Sequence, residues 1–456
     1  MNDNLLKVYI ISGLTLFILL CMNAMPVIKI GDTPLRKVAV LSDILPEKDN
    51  MAESILRPVV QNKKTLPFKE YTPKGVTPII DYSDDKAGGM DHFYASLLNV
   101  KKMKRPIRVA YYGDSFIEGD ILTSDLRQML QQKFGGYGIG WIDCEKGTNG
   151  GRPTIALNAT GFSHHVTYHG PFDDSLQGIN QKYFFSNGHG KMEIKSTSFS
   201  KNTSHWDIAT LYFRAREPMT LVSSFNNAKP SSHSIHPSAG IQTLQLKGKN
   251  MTSTYFCTPH GGRNIFYGAA METSQGIIVD NLGLRGNPGF SLGHIPVNVL
   301  KDFAKVRPYD LIIIHYGLNA ASDKNPKSFY GMYQKKMSKA ISNLRVAYPD
   351  ASIVVFSVSD RDQRRNGEIQ TMPCIRDLSA TQEQIAYQSK VAYFNLFEAM
   401  GGDNSMKALV DKGLANEDYT HINFKGGKFV AGKIVESILV GLENYKRKIK
   451  AGILKE

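Results

Sequence analysis

A chain of 456 residues, 42% hydrophobic and 21% charged, can bury a sizeable core, which excludes disorder throughout. Its 40 Gly and 20 Pro follow no period and its four Cys (Cys21, Cys144, Cys257, Cys374) form no CxxC pair, which excludes collagen-like repeats and zinc ribbons. Lys and Arg number 55 against 41 Asp and Glu, a formal charge of +14, but the excess is dispersed and no zinc-finger or RNA-recognition signature accompanies it, so no nucleic-acid partner is expected.

The run Val8–Ala24 is mostly apolar, follows Lys7 and matches the short end of a membrane span. No small-residue cleavage site is convincing, so residues 1–26 read as an uncleaved signal anchor that exports the rest of the chain. Residues 27–105 are interrupted by Pro34, Pro46, Pro58, Pro67, Pro73 and Pro78 and read as a tether, with a short helical pattern at Gly89–Val100. Ile107–Tyr112 is a compact apolar run, read as a buried strand, and ends in Gly113-Asp114-Ser115. Helical spacing follows at Leu122–Phe134. Ser115 is therefore expected between a strand and a helix, with the positive end of the helix beside it.

From 151 to 275 the pattern changes. Asp207–Phe213 and Gly240–Leu246 carry β-formers or alternate, and Gly, Asn and Ser clusters separate such runs, as in an all-β sandwich. His164, His165, His169, His233 and His236 lie here, but no carboxylate or cysteine in the pattern completes a metal site. The α/β rhythm then returns: strands at Ile277–Val279, Asp310–Tyr316, Ser352–Ser357 and Val391–Phe397, helices at Ser328–Tyr348, Ile375–Ser389 and Phe424–Arg447. Such alternation implies a parallel sheet flanked by helices. The predicted organisation is one α/β domain in two parts, 106–150 and 276–447, an inserted β sandwich at 151–275, and a basic tail at 448–456.

Four positions follow strand ends. Ser115 could act as a nucleophile, since α/β folds bind ligands where parallel strands end. Gly286, in Gly283-Leu284-Arg285-Gly286, offers a backbone N–H. Asn319, in Gly317-Leu318-Asn319, offers an amide donor to an oxyanion. Asp418 stands three residues before His421 and could orient its ring. Each has a plainer reading, as a loop, a turn, or a helix cap at Asp418 or Thr420. A competing serine, Ser291, lies in Gly289-Phe290-Ser291-Leu292-Gly293, which matches G-x-S-x-G. The sharp strand-to-helix turn that motif needs is missing, because Asn287-Pro288 separates it from the last clear strand residue.

Taken in chain order, Ser115, Gly286, Asn319 and Asp418/His421 resemble the blocks of the SGNH (GDSL-like) hydrolase superfamily, over residues 106–150 and 276–445. With the inserted β block, the chain is similar to exported bacterial polysaccharide and peptidoglycan O-acetylesterases. That resemblance implies a flavodoxin-like three-layer sandwich and a serine esterase needing no cofactor or metal. Ser115, Asp418 and His421 would be catalytic, and Ser115, Gly286 and Asn319 would form the oxyanion hole. The implied substrate is an acylated, most simply O-acetylated, cell-wall or surface polysaccharide met on the periplasmic side of a membrane. The alternatives are an O-acetyltransferase with the same triad beside a membrane acyl-transfer partner, and a glycan-binding protein on a dead hydrolase fold. One departure is Ala320, where the family pattern carries Asp after the Asn. Because no triad candidate falls within 151–275, removing that block is expected to spare hydrolysis of a small ester.

Overall fold

The computed structural model describes residues 68–84, 89–149 and 151–454, together with Lys7, Ile10, Gly13–Thr15, Lys29–Ile30 and Thr33–Pro34. Residues 1–54 and 55–456 form separate units. In the first, Lys7, Ile10 and Gly13–Thr15 are helical, and Lys29–Ile30 pairs antiparallel with Thr33–Pro34. Most of the expected anchor, Val8–Ala24, lies outside the described residues. Among the described residues, no helix is long and apolar enough to cross a membrane.

The second unit is built on a six-stranded sheet. Its spatial order is Ile277–Gly283, Ile107–Gly113, Leu311–His315, Ser352–Phe356, Ala392–Phe394 and Ile79–Asp81. Only the last strand runs antiparallel to its neighbour. In chain order the parallel strands read 2-1-3-4-5, the flavodoxin-like arrangement, with its switch point beside Ile107–Gly113. That strand is buried at every position, as are Leu311–His315 and Ser352–Phe356, because helices cover both faces. Met90–Leu98, Thr123–Phe134 and Phe424–Lys450 pack as one group, and Val297–Val306, Lys327–Ala347 and Cys374–Ser389 as another.

Several expectations shift. Part of the stretch read as a tether is built into this unit: Ile79–Asp81 edges the sheet, and the Met90–Leu98 helix buries Met90, Phe93, Tyr94 and Leu97. Tyr71 and Asn444 exchange two hydrogen bonds (3.0 and 2.9 Å). The closing helix runs on to Lys450, and Lys448 pairs with Glu70 at 2.6 Å, so the basic tail begins inside an element. Thr123 does not follow Ser115 directly. A turn and the 3₁₀ segment Glu118–Asp120 intervene, with Gly119 and Asp120 at φ +65° and +62°. The helix end therefore stands several residues from Ser115, and its potential does not account for the serine's chemistry.

A nine-stranded antiparallel sheet forms the second region. It begins before residue 151: Gly138–Ile142 pairs with Ile265–Glu272. The long strand Lys182–Ser196 pairs along its length with Ile155–Val166, and it also borders Ser253–Thr258 and Ile265–Glu272. Its own apolar core contains Phe184, Ile194, Trp206, Phe213, Phe266 and Met271.

The seam between the two sheets is ionic and buried. Arg307 reaches Asp280 of the parallel sheet at 2.7 Å and Glu272 of the antiparallel sheet at 3.2 Å. Glu272 also bonds Arg108 at 3.0 Å, and Tyr212 and Tyr309 add phenol hydrogen bonds. Asp120 takes Arg127 and Arg152 at 3.2 and 3.0 Å and Thr154 at 2.6 Å. Losing one partner of such a buried pair leaves an uncompensated charge. Removing 151–275 would take Glu272 from Arg108 and Arg307, and Arg152 and Thr154 from Asp120, which would keep Arg127 and Thr123, so deleting the block is expected to cost stability.

Candidate active site

Register sets the site. Gly113 lies beside Gly283 on one side and His315 on the other, so three loops leave the parallel sheet at one level. The first loop carries Ser115, the second Gly286 and the third Asn319. Glycine fits closely at 113: a Cβ there would meet Ile117 Cδ1 at 2.9 Å and the His315 carbonyl at 3.0 Å. The Gly113 carbonyl accepts the N–H of Leu284 at 2.9 Å, which ties the first two loops together.

The half-buried Ser115 hydroxyl meets His421 Nε2 at 2.9 Å. On the other side of the ring, Nδ1 meets Asp418 Oδ2 at 2.7 Å. The carboxylate assigns the proton to Nδ1 and turns the Nε2 lone pair to the serine. Asp418 Oδ1 accepts the backbone N–H of Thr420 and of His421, both at 3.0 Å. Partial burial works against its ionisation, but those N–H groups and the His421 ring together hold its carboxyl below the usual range. The cap of the following helix is Asn423, whose Oδ1 accepts from Lys425 and Gly426. That disposes of the plainer reading of Asp418 and Thr420 as caps.

Asn319 is exposed and donates to the Asn287 carbonyl at 3.4 Å, so it bridges to the loop beside Gly286. Gly286 is itself exposed with φ +74°. Ala320, the departure from the family pattern, is buried. Backbone bonds to the Gly317 carbonyl from Ala320 and Ala321 (2.9 Å each) hold its turn, and the Asn325 amide holds the Ala320 carbonyl at 2.8 Å.

Ser291 is fully buried in the 3₁₀ segment Phe290–His294. Its hydroxyl bonds Gln181 Oε1 at 2.5 Å and Asn287 Nδ2 at 2.9 Å, and no histidine partners it. It cannot be the nucleophile in this geometry. Among the histidines of the β block, His164 pairs with Glu145 at 2.7 Å, His165 stacks on Tyr183 and His233 bonds Ser223. Among the described residues, no three His, Cys, Asp or Glu side chains converge to hold a metal ion. Cys144, Cys257 and Cys374 are buried free thiols.

Sequence reasoning passed over three residues of the site. Asp114 is buried between Ser115 and Gly113, and its Oδ1 accepts the Phe116 N–H at 3.0 Å. Burial pushes its carboxyl up to about 6, although the Phe116 N–H, the nearby Asn319 amide and His421 pull the other way. Asn287 and Gln181 are the others; both are wholly buried. Gly-Asp-Ser and Arg-Gly-Asn-Pro could have flagged Asp114 and Asn287, whereas nothing local marks Gln181.

No family model matches the chain, and no curated protein matches it. Among solved structures, one titled as a peptidoglycan O-acetylesterase in action superposes with a TM-score of 0.67 at 20% identity, covering 80% of this chain and 99% of that one. A carbohydrate esterase family 3 protein from Talaromyces cellulolyticus matches at 16% identity over 36% of this chain and 73% of that one, TM-score 0.27. A salicylyl-acyltransferase of a tetracycline biosynthetic pathway matches at 10% identity over 63% of this chain and 98% of that one, TM-score 0.29. The first likeness, over 80% of this chain, is one of fold.

Proposed function

We propose that the chain is an SGNH-type carboxylic ester hydrolase that removes O-acetyl groups from a cell-wall or surface polysaccharide. The observation that carries this is the continuous relay from Ser115 through His421 to Asp418, at 2.9 and 2.7 Å. His421 Nε2 takes the Ser115 proton as Oγ attacks the ester carbonyl. The C–O bond to the sugar then breaks, and His421 returns the proton to the departing sugar hydroxyl. Water, deprotonated by the same nitrogen, releases acetate and restores Ser115. The backbone N–H groups of Ser115 and Gly286 and the Asn319 amide stabilise the oxyanion of both tetrahedral intermediates. Asp418, held ionised, stabilises the imidazolium that forms in each step.

Exposure supports a polymeric substrate. The His421 and Asp418 side chains are 35% and 48% exposed, so an acetyl group on a long glycan can reach Ser115 without the chain threading a tunnel. Export and anchoring through residues 8–24 belong to the same reading, since such a polymer lies outside the cytoplasm. The test is acetate release from O-acetylated peptidoglycan or polysaccharide by the purified protein, with fluorophosphonate labelling mapped to a single serine. Label on Ser115 with acetate release supports the proposal. Acetyl groups moved to a second glycan without net acetate release indicate the transferase alternative, and inertness to both reagents indicates a non-catalytic fold.

A further inference from the structure

The two loops that would hold the oxyanion share one support, and it comes from the other sheet. Gln181 sits where the chain enters the Lys182–Ser196 strand, wholly buried, with its backbone in the left-handed region at φ +60°. A non-glycine residue rarely occupies that region unless its surroundings enforce it. Here its N–H bonds the Gly178 carbonyl at 3.0 Å and its carbonyl takes the Thr167 N–H at 3.3 Å.

The Gln181 side chain leaves the β sheet and enters the α/β half. Its Oε1 accepts two hydrogen bonds, from Asn287 Nδ2 at 3.0 Å and from the Ser291 hydroxyl at 2.5 Å. Its Nε2 lies 3.4 Å from the Tyr316 hydroxyl. Asn287 adjoins Gly286, and its own carbonyl receives the Asn319 amide. Asn287 Oδ1 accepts the Gly289 N–H at 2.8 Å, which closes that loop on itself. Tyr316 directly precedes Gly317-Leu318-Asn319. One amide thus touches Asn287 beside Gly286 and the hydroxyl of Tyr316, whose own carbonyl, ahead of the Asn319 loop, is held by Gln382 at 2.6 Å. The flanking residues are held as well, Leu284 N–H by the Gly113 carbonyl and Arg285 by Glu118, while Gly286 itself stands in open space: a Cβ built there meets no atom within 4 Å.

We propose that Gln181 is a positioning residue for the oxyanion hole, through which the antiparallel sheet sets the aim of Gly286 and Asn319. This rests on the esterase reading above. Gln181 touches no reacting atom; it acts through Asn287 and Tyr316. Its effect is expected mainly in the transition state, where charge on the carbonyl oxygen is greatest.

The experiment uses the full chain and a small aryl acetate. Gln181→Met keeps the volume and removes both acceptor bonds. It should lower kcat about 10- to 100-fold, the scale of a misplaced catalytic geometry, with KM within about two-fold of wild type. Phosphonylation of Ser115 should slow in parallel, because it too develops charge on that oxygen. Should Gln181→Met fail to fold, Tyr316→Phe cuts the link to the Asn319 loop alone and should cost several-fold in kcat. Wild-type kcat per labelled active site in either variant overturns the inference. Ser115→Ala separates the two levels: activity surviving in it removes the esterase reading, whereas its inactivity beside an unaffected Gln181→Met removes only the role of Gln181.

Discussion

The two sheets place their polar side chains in opposite ways. Around the ends of the parallel strands, Ser115, Asn319, Asp418 and His421 are exposed or half-buried and are held by neutral hydrogen bonds and the one Asp418–His421 contact. Along the seam with the antiparallel sheet, Arg108, Glu272, Asp280 and Arg307 are buried and paired with one another, with Trp141, Tyr212 and Tyr309 adding hydrogen bonds. The difference shows in two carboxyls. Asp114, buried with little charge to compensate it, is pushed up to about 6. Burial would also raise Glu272, but Arg108 and Arg307 hold it down at about 2. Residues of the first kind can be exchanged at the expense of chemistry, and residues of the second kind at the expense of the fold.

Ser115→Ala is the strongest test of that contrast. Removing the nucleophile should reduce kcat on the order of 10⁴-fold or more. The thermal midpoint should stay near wild type, since the hydroxyl is only half-buried; a large fall would place Ser115 with the structural residues.

Glu272→Ala should do the reverse. It leaves Arg108 unpaired and Arg307 half-paired, at about 3–5 kcal/mol of stability by chemical denaturation, with kcat per labelled site little changed. A lowered folded pKa gives stability that is complete above the unfolded value and lost as pH falls through the folded one. The wild type should therefore lose this contribution between about pH 4.5 and 2, and the variant should lack that step.

Asn319→Ala should lower kcat and kcat/KM together by about 10²–10³, roughly 2.7–4 kcal/mol, with KM nearly still. A variant that melts early yet turns over normally would return Asn319 to the role of a turn residue. Asn319→Asp should be at least as damaging, because its charge opposes the oxyanion.

Asp114→Asn sharpens the comparison at one position. The amide oxygen can still accept the Phe116 N–H, and no buried charge has to form. Raised in the folded state, the Asp114 carboxyl adds stability below about pH 4 that is lost as pH rises through 6. The variant should therefore gain on wild type across that window, by roughly 3 kcal/mol at most, while kcat falls because an NH₂ group now faces the Asn319 amide. Equal stability of the two proteins at pH 4.5 and 7.5 would remove Asp114 from the ionising groups.

What the sequence showed clearly was periodic or local. Ile107–Tyr112 and Asp310–Tyr316 are mostly apolar because both sheet faces are covered, with Arg108, Asp310 and His315 as the exceptions, and the structure's Ile107–Gly113 and Leu311–His315 agree within a residue or so. Asp418 and His421 are three residues apart, and backbone bonds within that turn suffice to set their geometry. The turn after Ser115 escaped because the helical spacing at Leu122–Phe134 was extended back toward the strand. Glu118-Gly119-Asp120 carried a turn signal with two left-handed residues. Ile79–Asp81 was hidden by the prolines around it. Gln181 was illegible for a different reason: its partners Asn287, Ser291 and Tyr316 lie more than a hundred residues away, and a polar residue at a strand entrance gives no sign that it is buried.

The strand order also bears on how the chain is made. Ile107–Gly113 lies between Ile277–Gly283 and Leu311–His315, and the entire antiparallel sheet is encoded between it and both neighbours. During synthesis from the N-terminus, this strand, buried at every position in the finished sheet, has neither of its neighbours until the intervening sheet has left the ribosome. At about 5–20 residues per second that delay lasts on the order of ten seconds. The Asp120 pairs with Arg127 and Arg152 form within the segment already made. They can hold the Ser115 loop and its helix against the early edge of the antiparallel sheet during the wait. Chains arrested before Ile277 should be readily cleaved between residues 107 and 135, and chains extended past Phe356 should resist.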